Sequence, residues 1–481
     1  MDDALTRLRR HALAIYGDAL ADADPALALR RALRLEGESL IVADARFDLR
    51  AAPLKIYSVA LGKAARAMAS ALEELLGERL VGGVISAPPD GTSLPPRWRD
   101  FAGGHPTPNE ASLAAADAAF DLLRRADADA EAALLLFLVT GGGSAMLERP
   151  RDPRVTLADL REANRLLVSC GASISEVNVV RRALSAVKGG GLARLAPRAA
   201  QITLIISDTN AGDETSVASG PTLAPPAHAP DAASIVARYR LETRLPASVL
   251  DALERREQQH DHAPPHEPRH GNSSPDDSSR EGALSSNDAT RADDAPRRAL
   301  RKHFVLLDNA RAVSRAARAA RELGYVVVTA DDLGEQPVEE AAPALVARAF
   351  GLWNRDGGAG RAVCLVSGGE FACPVRGNGV GGRNAETALR CAFELDALDT
   401  DAPSAVALSA GTDGIDGNSP AAGALADTRT LARARALGLN PRRFLDSSDA
   451  HTFFQTLGQA LHTGPTGTNV RDLRLLLISE S

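Results

Sequence analysis

Five apolar runs of this 481-residue chain end directly in glycine or in side chains able to do chemistry. They read Leu61-Gly62-Lys63, Thr140-Gly141-Gly142-Gly143-Ser144, Ser207-Asp208, Ser367-Gly368-Gly369-Glu370 and Gly411-Thr412-Asp413. A lysine, a hydroxyl and three carboxylates at strand ends are the parts of an anion-plus-metal site. Glycine turns let backbone N–H groups approach phosphate closely, and an ammonium adds a point charge. On that chemistry Gly141, Gly142, Gly143 and Ser144 are candidate triphosphate contacts, and Lys63 a phosphate contact. Magnesium takes a few carboxylate oxygens beside phosphate and water, so Asp208 and Glu370 are candidate metal ligands, with Asp213 close by. Asp413 could orient or deprotonate a hydroxyl nucleophile, whereas Asp416 reads as a turn residue. The loop His462 to Val470 is dense in hydroxyls and glycine, and Asn469 is its best candidate ligand contact.

The segment Ser367 to Arg390 carries much of this chemistry. Gly377, Gly379 and Gly382 fit G-x-G-x-x-G, a dinucleotide spacing. Its context argues otherwise. Pro374 interrupts the run before the loop, and a central parallel strand has no place for proline. The next acidic strand end, Asp413, comes too late for a ribose contact. Arg383 follows the last glycine on the first helical turn, where a planar guanidinium suits a phosphoryl group or a carboxylate. The dinucleotide reading is weakened, and Gly381 and Gly382 are candidate backbone contacts for either a dinucleotide or a triphosphate. A Walker A loop is excluded at Lys63, because its first glycine is absent and Ala64 holds the hydroxyl position.

These residues need strands and helices in alternation, and the pattern supplies them. Strands are expected at Ile56 to Leu61, Ala133 to Thr140, Ile202 to Ser207, Ala362 to Ser367, Ala405 to Ser409 and Leu473 to Ile478, among others. Helical periodicity lies between them, as in Ala111 to Arg125, Asp159 to Ser169, Ala310 to Leu323 and Asn384 to Leu395. The expectation is an α/β protein with mainly parallel sheets and ligands beyond the strand carboxyl ends. The length implies two domains. From about Arg255 to Arg298 the chain is rich in Pro, Ser, Asp, Arg and His and almost empty of large apolar residues, so it reads as a disordered insertion. The expected division is residues 1–250, a linker over 251–300, and residues 301–481.

A formal net charge of -7 argues against nucleic acid or an anionic membrane as the main partner. The four cysteines form no C-x-x-C pair, which fits free thiols in a reducing cytosol. The first residues lack a secretory pattern, and the longest apolar run, Ala132 to Val139, is too short to span a bilayer. A cytoplasmic location is expected.

The motifs GKAARAM, GGHPTPNEAS, LVTGGGSAML, GASISEVNVVRRALSAVKGGGLA, ASGPT, SGGE, GVGGRN, GTDGIDG and HTGPTGTNV occur in one order. Together they resemble the glycerate 2-kinase family, whose C-terminal half is the MOFRL domain. The resemblance implies phosphorylation of D-glycerate at its 2-hydroxyl, with ATP and Mg2+, to give 2-phosphoglycerate and ADP. It implies a Rossmann-like α/β/α N-terminal domain, a smaller α/β C-terminal domain and a site in the cleft between them. It places the family's functional lysine on Lys63, its arginine on Arg383, its acids on Asp208, Glu370 and Asp413, and its asparagine on Asn469. One stretch departs from the family pattern: Ser207-Asp208-Thr209-Asn210-Ala211-Gly212-Asp213 displaces the usual Gly-Asp pair by one residue. Between Asp208 and Asp213 the strand-end position favours Asp208. Two alternatives stand beside the kinase: a hydroxypyruvate reductase using NAD(P)H, and a non-catalytic phosphometabolite-binding protein. A homo-oligomer is compatible with either.

Overall fold

In the computed structural model, residues 2–48, 54–129, 132–226, 228, 230–261, 300–356, 360–398 and 402–480 are described. The apolar runs form two six-stranded sheets, and a small antiparallel sheet of β1 (Leu33–Glu36), β2 (Ser39–Val42) and β3 (Ala45–Asp48) stands beside the first. The first large sheet holds β4 (Lys55–Leu61), β5 (Leu80–Ser86), β6 (Trp98–Phe101), β7 (Ala133–Thr140), β8 (Ala200–Ile206) and β9 (Arg301–Leu307). Its order is β6-β5-β4-β7-β8-β9 and every pair is parallel. All eight residues of β7 are buried, as a strand covered on both faces requires. Successive side chains go to opposite cores. Leu134, Leu136 and Leu138 pack with Ala65, Met68 and Leu72 of the helix Ala65–Leu76. Leu135, Phe137 and Val139 pack with Ala115, Ala119 and Leu122 of the helix Glu110–Ala128.

The second sheet holds β10 (Val326–Thr329), β11 (Val363–Gly369), β12 (Ser404–Gly411), β13 (Gly423–Asp427), β14 (Ala460–Leu461) and β15 (Asp472–Ser479). Its order is β10-β11-β15-β12-β13-β14. Only β10 and β11 pair in parallel; β15 runs antiparallel to both β11 and β12. The expectation of mainly parallel sheets therefore holds for the first sheet and not for the second. A parallel pair needs a crossover helix, whereas β13 follows β12 through the helix-free loop 412–422 and returns antiparallel.

The sheets also divide the chain differently from the expected boundaries. Strand β9 is the edge of the first sheet, beside β8. The helix Asp2–Asp22 lies on the second sheet, where Leu8, Ile15 and Tyr16 pack with Val406, Leu408 and Leu475. The Tyr16 hydroxyl donates to the Gly411 carbonyl at 2.8 Å. Helical order also continues past residue 250, since a helix spans Ala247–Asp261. It is too polar to be read from periodicity, and its Arg255 is tied to Asp152 at 2.7 Å. The rest of the expected insertion, 262–299, lies outside the described residues. No helix among the described residues is long and apolar enough to cross a membrane.

Candidate active site

Three strand ends of the first sheet meet at one edge. After β4, Gly62 adopts φ +112, and a Cβ there would lie 2.3 Å from the Thr140 hydroxyl. That close approach lets the Lys63 N–H donate to the Gly141 carbonyl at 2.9 Å, tying the first loop to the second. Gly141 leaves room for Asp208: a Cβ would stand 2.0 Å from its carboxylate. Gly142, at φ +82, faces the His105 ring and the Lys63 side chain. Ser144 shares a 2.9 Å hydrogen bond with Ser219. Burial raises the Asp208 carboxyl above the ordinary carboxylate range, opposed by its own N–H, Lys63 and Arg471. Asp213 is spent differently, accepting from Ser216 at 2.8 Å at the start of the turn Glu214–Ser219.

The second sheet brings the opposite wall. Lys63 reaches across to Asp413, Nζ to Oδ2 3.5 Å. Arg383 is gripped from two sides: Nη2 donates to Glu370 at 2.9 Å, while Nε and Nη2 donate to Asp472 at 2.5 and 2.9 Å. Burial opposes the Arg383 charge, but Asp472 and Glu370 outweigh it and hold the guanidinium firmly protonated. Burial raises the Glu370 carboxyl; Arg383 opposes that, and Asp472 adds to it.

Arg471 and Asp472 are site residues that the strand-end reading missed. That reading followed strand carboxyl ends. Strand β15 runs the other way, so its amino end arrives at the same edge, with Asp472 opposite both Gly369 and Gly411. Arg471 is 7% exposed, sits at φ +70, bonds to Asn210 of the first sheet's loops and pairs with Glu335 at 3.2 Å. The glycine before β11's end and the acids after β12 were legible, but an antiparallel arrival was not. The Asn469 side-chain oxygen accepts from the Arg471 N–H at 3.1 Å, a local turn contact.

The G-x-G-x-x-G loop is a packing device in this structure. Three of its amides are already occupied: Gly379 N–H donates to Ser447, Val380 N–H to Asp449 and Gly381 N–H to Asn418. A Cβ on Gly377 or Gly379 would strike the Ser447–Asp449 backbone within 2.7 Å, and one on Gly382 would meet Asp416 at 2.4 Å. The N-terminus of the helix Arg383–Asp396 is capped by Asp416, which accepts from Asn384 and Ala385 at 2.9 and 2.8 Å. So the Gly381 N–H is spent on Asn418, close packing against Asp416 accounts for Gly382, and Asp416 is a cap rather than a simple turn residue.

Burial pushes the Asp416 carboxyl up to about 6 despite those two donors. The folded state therefore holds this proton where the unfolded chain has released it, so this group's contribution to stability falls as pH rises from about 4 to about 6. Asp416→Ala is expected to cost about 1–2 kcal/mol for the lost cap. The stability advantage of the wild type over the variant should shrink across that pH window, as measured by urea unfolding at several pH values. An advantage that grows with pH would contradict the assignment.

Between the two walls lies a cleft of about 410 Å³. His105, Gly142, Ser144, Asp208, Glu370 and Arg471 border it; Lys63 stands beside Gly142, and Arg383 reaches the lining through its pair with Glu370. A deeper lobe runs into the first domain between the helices Leu157–Ser169 and Ile174–Leu184. Lys188 and Glu148 form a buried ion pair there. No group of three or more His, Cys, Asp or Glu gathers as a metal cluster among the described residues. Asp208 and Glu370 instead repel each other across the cleft mouth. Two half-buried carboxylates held above their ordinary range fit a cation that prefers few protein oxygens and keeps phosphate and water as its remaining ligands.

A two-domain α/β architecture with a charged interdomain cleft is the class that fold and site define. The comparisons place it further. Residues 11–254 match the family described as a domain of unknown function, DUF4147, and residues 363–472 match the MOFRL family. The chain is 36% identical over 507 residues to glycerate kinase of Homo sapiens, covering 98% of this chain and 93% of that one. It is 30% identical over 473 residues to glycerate 2-kinase of Pyrococcus horikoshii, covering 98% of both chains. The crystal structure of a glycerate kinase from Thermotoga maritima superposes with a TM-score of 0.75 at 27% identity, covering 98% of this chain and 100% of the other. The chain belongs to the glycerate kinase family.

Proposed function

We propose that this protein is an ATP-dependent kinase that phosphorylates D-glycerate at its 2-hydroxyl, giving 2-phosphoglycerate and ADP. The observation that carries it is the cleft mouth. Two basic side chains flank two facing carboxylates, and Asp413 from one domain stands beside Lys63 of the other. Phosphoryl transfer asks a protein mainly for positioning and charge neutralisation, and that is what these groups offer.

In this reading Asp413 orients the 2-hydroxyl and takes its proton as the oxygen–phosphorus bond forms and the bond to ADP breaks. Lys63 and Arg383 stabilise the charge on the transferring phosphoryl group. Gly141 to Ser144 line the path of the phosphates. Asp208 and Glu370 would hold Mg2+, which when bound neutralises triphosphate charge. Asp208 is preferred to Asp213 because the latter is already engaged with Ser216. The dinucleotide alternative loses support because three of the glycine loop's amides, those of Gly379, Val380 and Gly381, are taken within the protein.

The test is a direct assay with D-glycerate, ATP and magnesium, following ADP release. Added enolase without a mutase reports the 2-phospho product specifically. NADH oxidation with hydroxypyruvate, and no ADP release, would overturn the kinase in favour of the reductase.

A further inference from the structure

Charge accounting in the cleft singles out one cation. Lys63 is paired with Asp413, Arg383 with Glu370 and Asp472, Arg471 with Glu335, and Lys188 with Glu148. Arg181 also borders the cleft, in its deeper lobe. Its guanidinium meets only a neutral amide: Nε donates to the Asn164 side-chain oxygen at 2.9 Å, and Nη2 donates to the same atom. Among the described residues no carboxylate forms an ion pair with it. Burial works against its charge, with Glu148 the opposing influence.

The groups around it are prepared for a ligand. Asn178 is 2% exposed, and its side-chain oxygen accepts from the Ser219 hydroxyl at 2.8 Å. That fixes the amide and leaves its NH2 without a protein partner among the described residues. Lys188 and Arg181 face the single carboxylate of Glu148, so the lobe carries one uncompensated positive charge. The mouth is the reverse, with Asp208, Asp213, Glu335, Glu370, Asp413 and Asp472 against Lys63, Arg383 and Arg471. An acid-rich mouth suits a cation-bound triphosphate. A lobe short of one negative charge suits a monoanion, and a planar guanidinium matches a carboxylate in two parallel hydrogen bonds.

We infer that Arg181 binds the carboxylate of the acceptor acid, with the Asn178 amide as a second donor. The inference rests on the kinase reading. It gives the lobe a substrate-selecting role: a small hydroxy acid enters carboxylate first.

Steady-state kinetics on the full chain test it, with Arg181→Gln and Arg181→Lys beside the wild type. Arg181→Gln should raise KM for D-glycerate roughly 10- to 100-fold, the value of a hydrogen-bonded charge pair, and leave KM for ATP nearly unchanged. The wild type should prefer D-glycerate to its neutral amide, D-glyceramide, by a similar factor. Arg181→Gln should erase that preference, which a merely structural residue would not do. Thermal melting checks that the variants fold. If Arg181→Gln does not, Arg181→Lys, which keeps the charge and loses the fork, should show a reduced acid-over-amide preference. A rise in KM for ATP alone would give the lobe to the nucleotide and sink the inference, as would unchanged constants for both substrates. A wild type that releases no ADP fails the kinase reading instead, and calorimetric binding of D-glycerate to wild type and variants then decides Arg181 by itself.

Discussion

Arg383→Ala is expected to lower kcat by at least about 100-fold, the scale of losing a charge that stabilises phosphoryl transfer. It should also destabilise the fold. The sequence alone presents Arg383 as a residue of the first helical turn. The structure makes it the main partner of Asp472, whose carboxylate is 1% exposed. Removing the guanidinium leaves that carboxylate with the Asn384 amide at 3.0 Å and Arg474 at 3.9 Å. Breaking a buried pair from one side costs about 3–5 kcal/mol, or about 3–5 °C in Tm for a chain of this length melting as one unit. Arg383→Lys keeps the charge and loses the fork, so it should recover more stability than activity. Thermal melts and turnover on the same preparations check both halves. A variant that melts like the wild type would mean that Asp472 finds its compensation elsewhere.

Lys63→Ala should reach a comparable loss of turnover by a different route. Its ion pair with Asp413 is partly exposed, 34% and 22% on the two side chains. Such a pair contributes roughly 0–1 kcal/mol. The following helix begins at Ala65, with no capping bond from Lys63. Melting should therefore stay close to wild type while kcat falls by about 100-fold or more. The two variants form a matched pair, alike in kinetics and unlike in stability. Near-normal turnover of Lys63→Ala would remove the lysine from the mechanism.

What could be read in advance follows from how each residue reaches the site. Lys63, Ser144 and Asp208 leave the carboxyl ends of parallel strands, where an apolar run followed by glycine announces them. Glu370 and Asp413 leave β11 and β12 in the same manner. Arg471 and Asp472 come before an apolar run, at the start of an antiparallel strand, and no local pattern marks such a position as facing a ligand. Arg181 and Lys188 lie on a helix and just beyond one, where a basic residue usually belongs to a solvated face. Only the packing of the helices Leu157–Ser169 and Ile174–Leu184 shows that they point into a lobe. The glycine loop misled in the opposite direction. Its spacing is that of a phosphate cradle, but close approach to the Ser447–Asp449 backbone accounts for the glycines.

The helix Asp2–Asp22 has a consequence for synthesis. It is made before either large sheet, yet the surfaces that bury Leu8, Ile15 and Tyr16 include Val406, Leu408 and Leu475, made hundreds of residues later. The parallel sheet is complete once β9 has emerged, so its domain can fold while the other is still being translated. Until then the helix presents an apolar face with no partner. The central β15 comes later still, so the second domain closes in one late step that joins both extremes of the described chain. A nascent chain stalled before β15 should expose that helix to chaperones and proteases, with the first domain already protected.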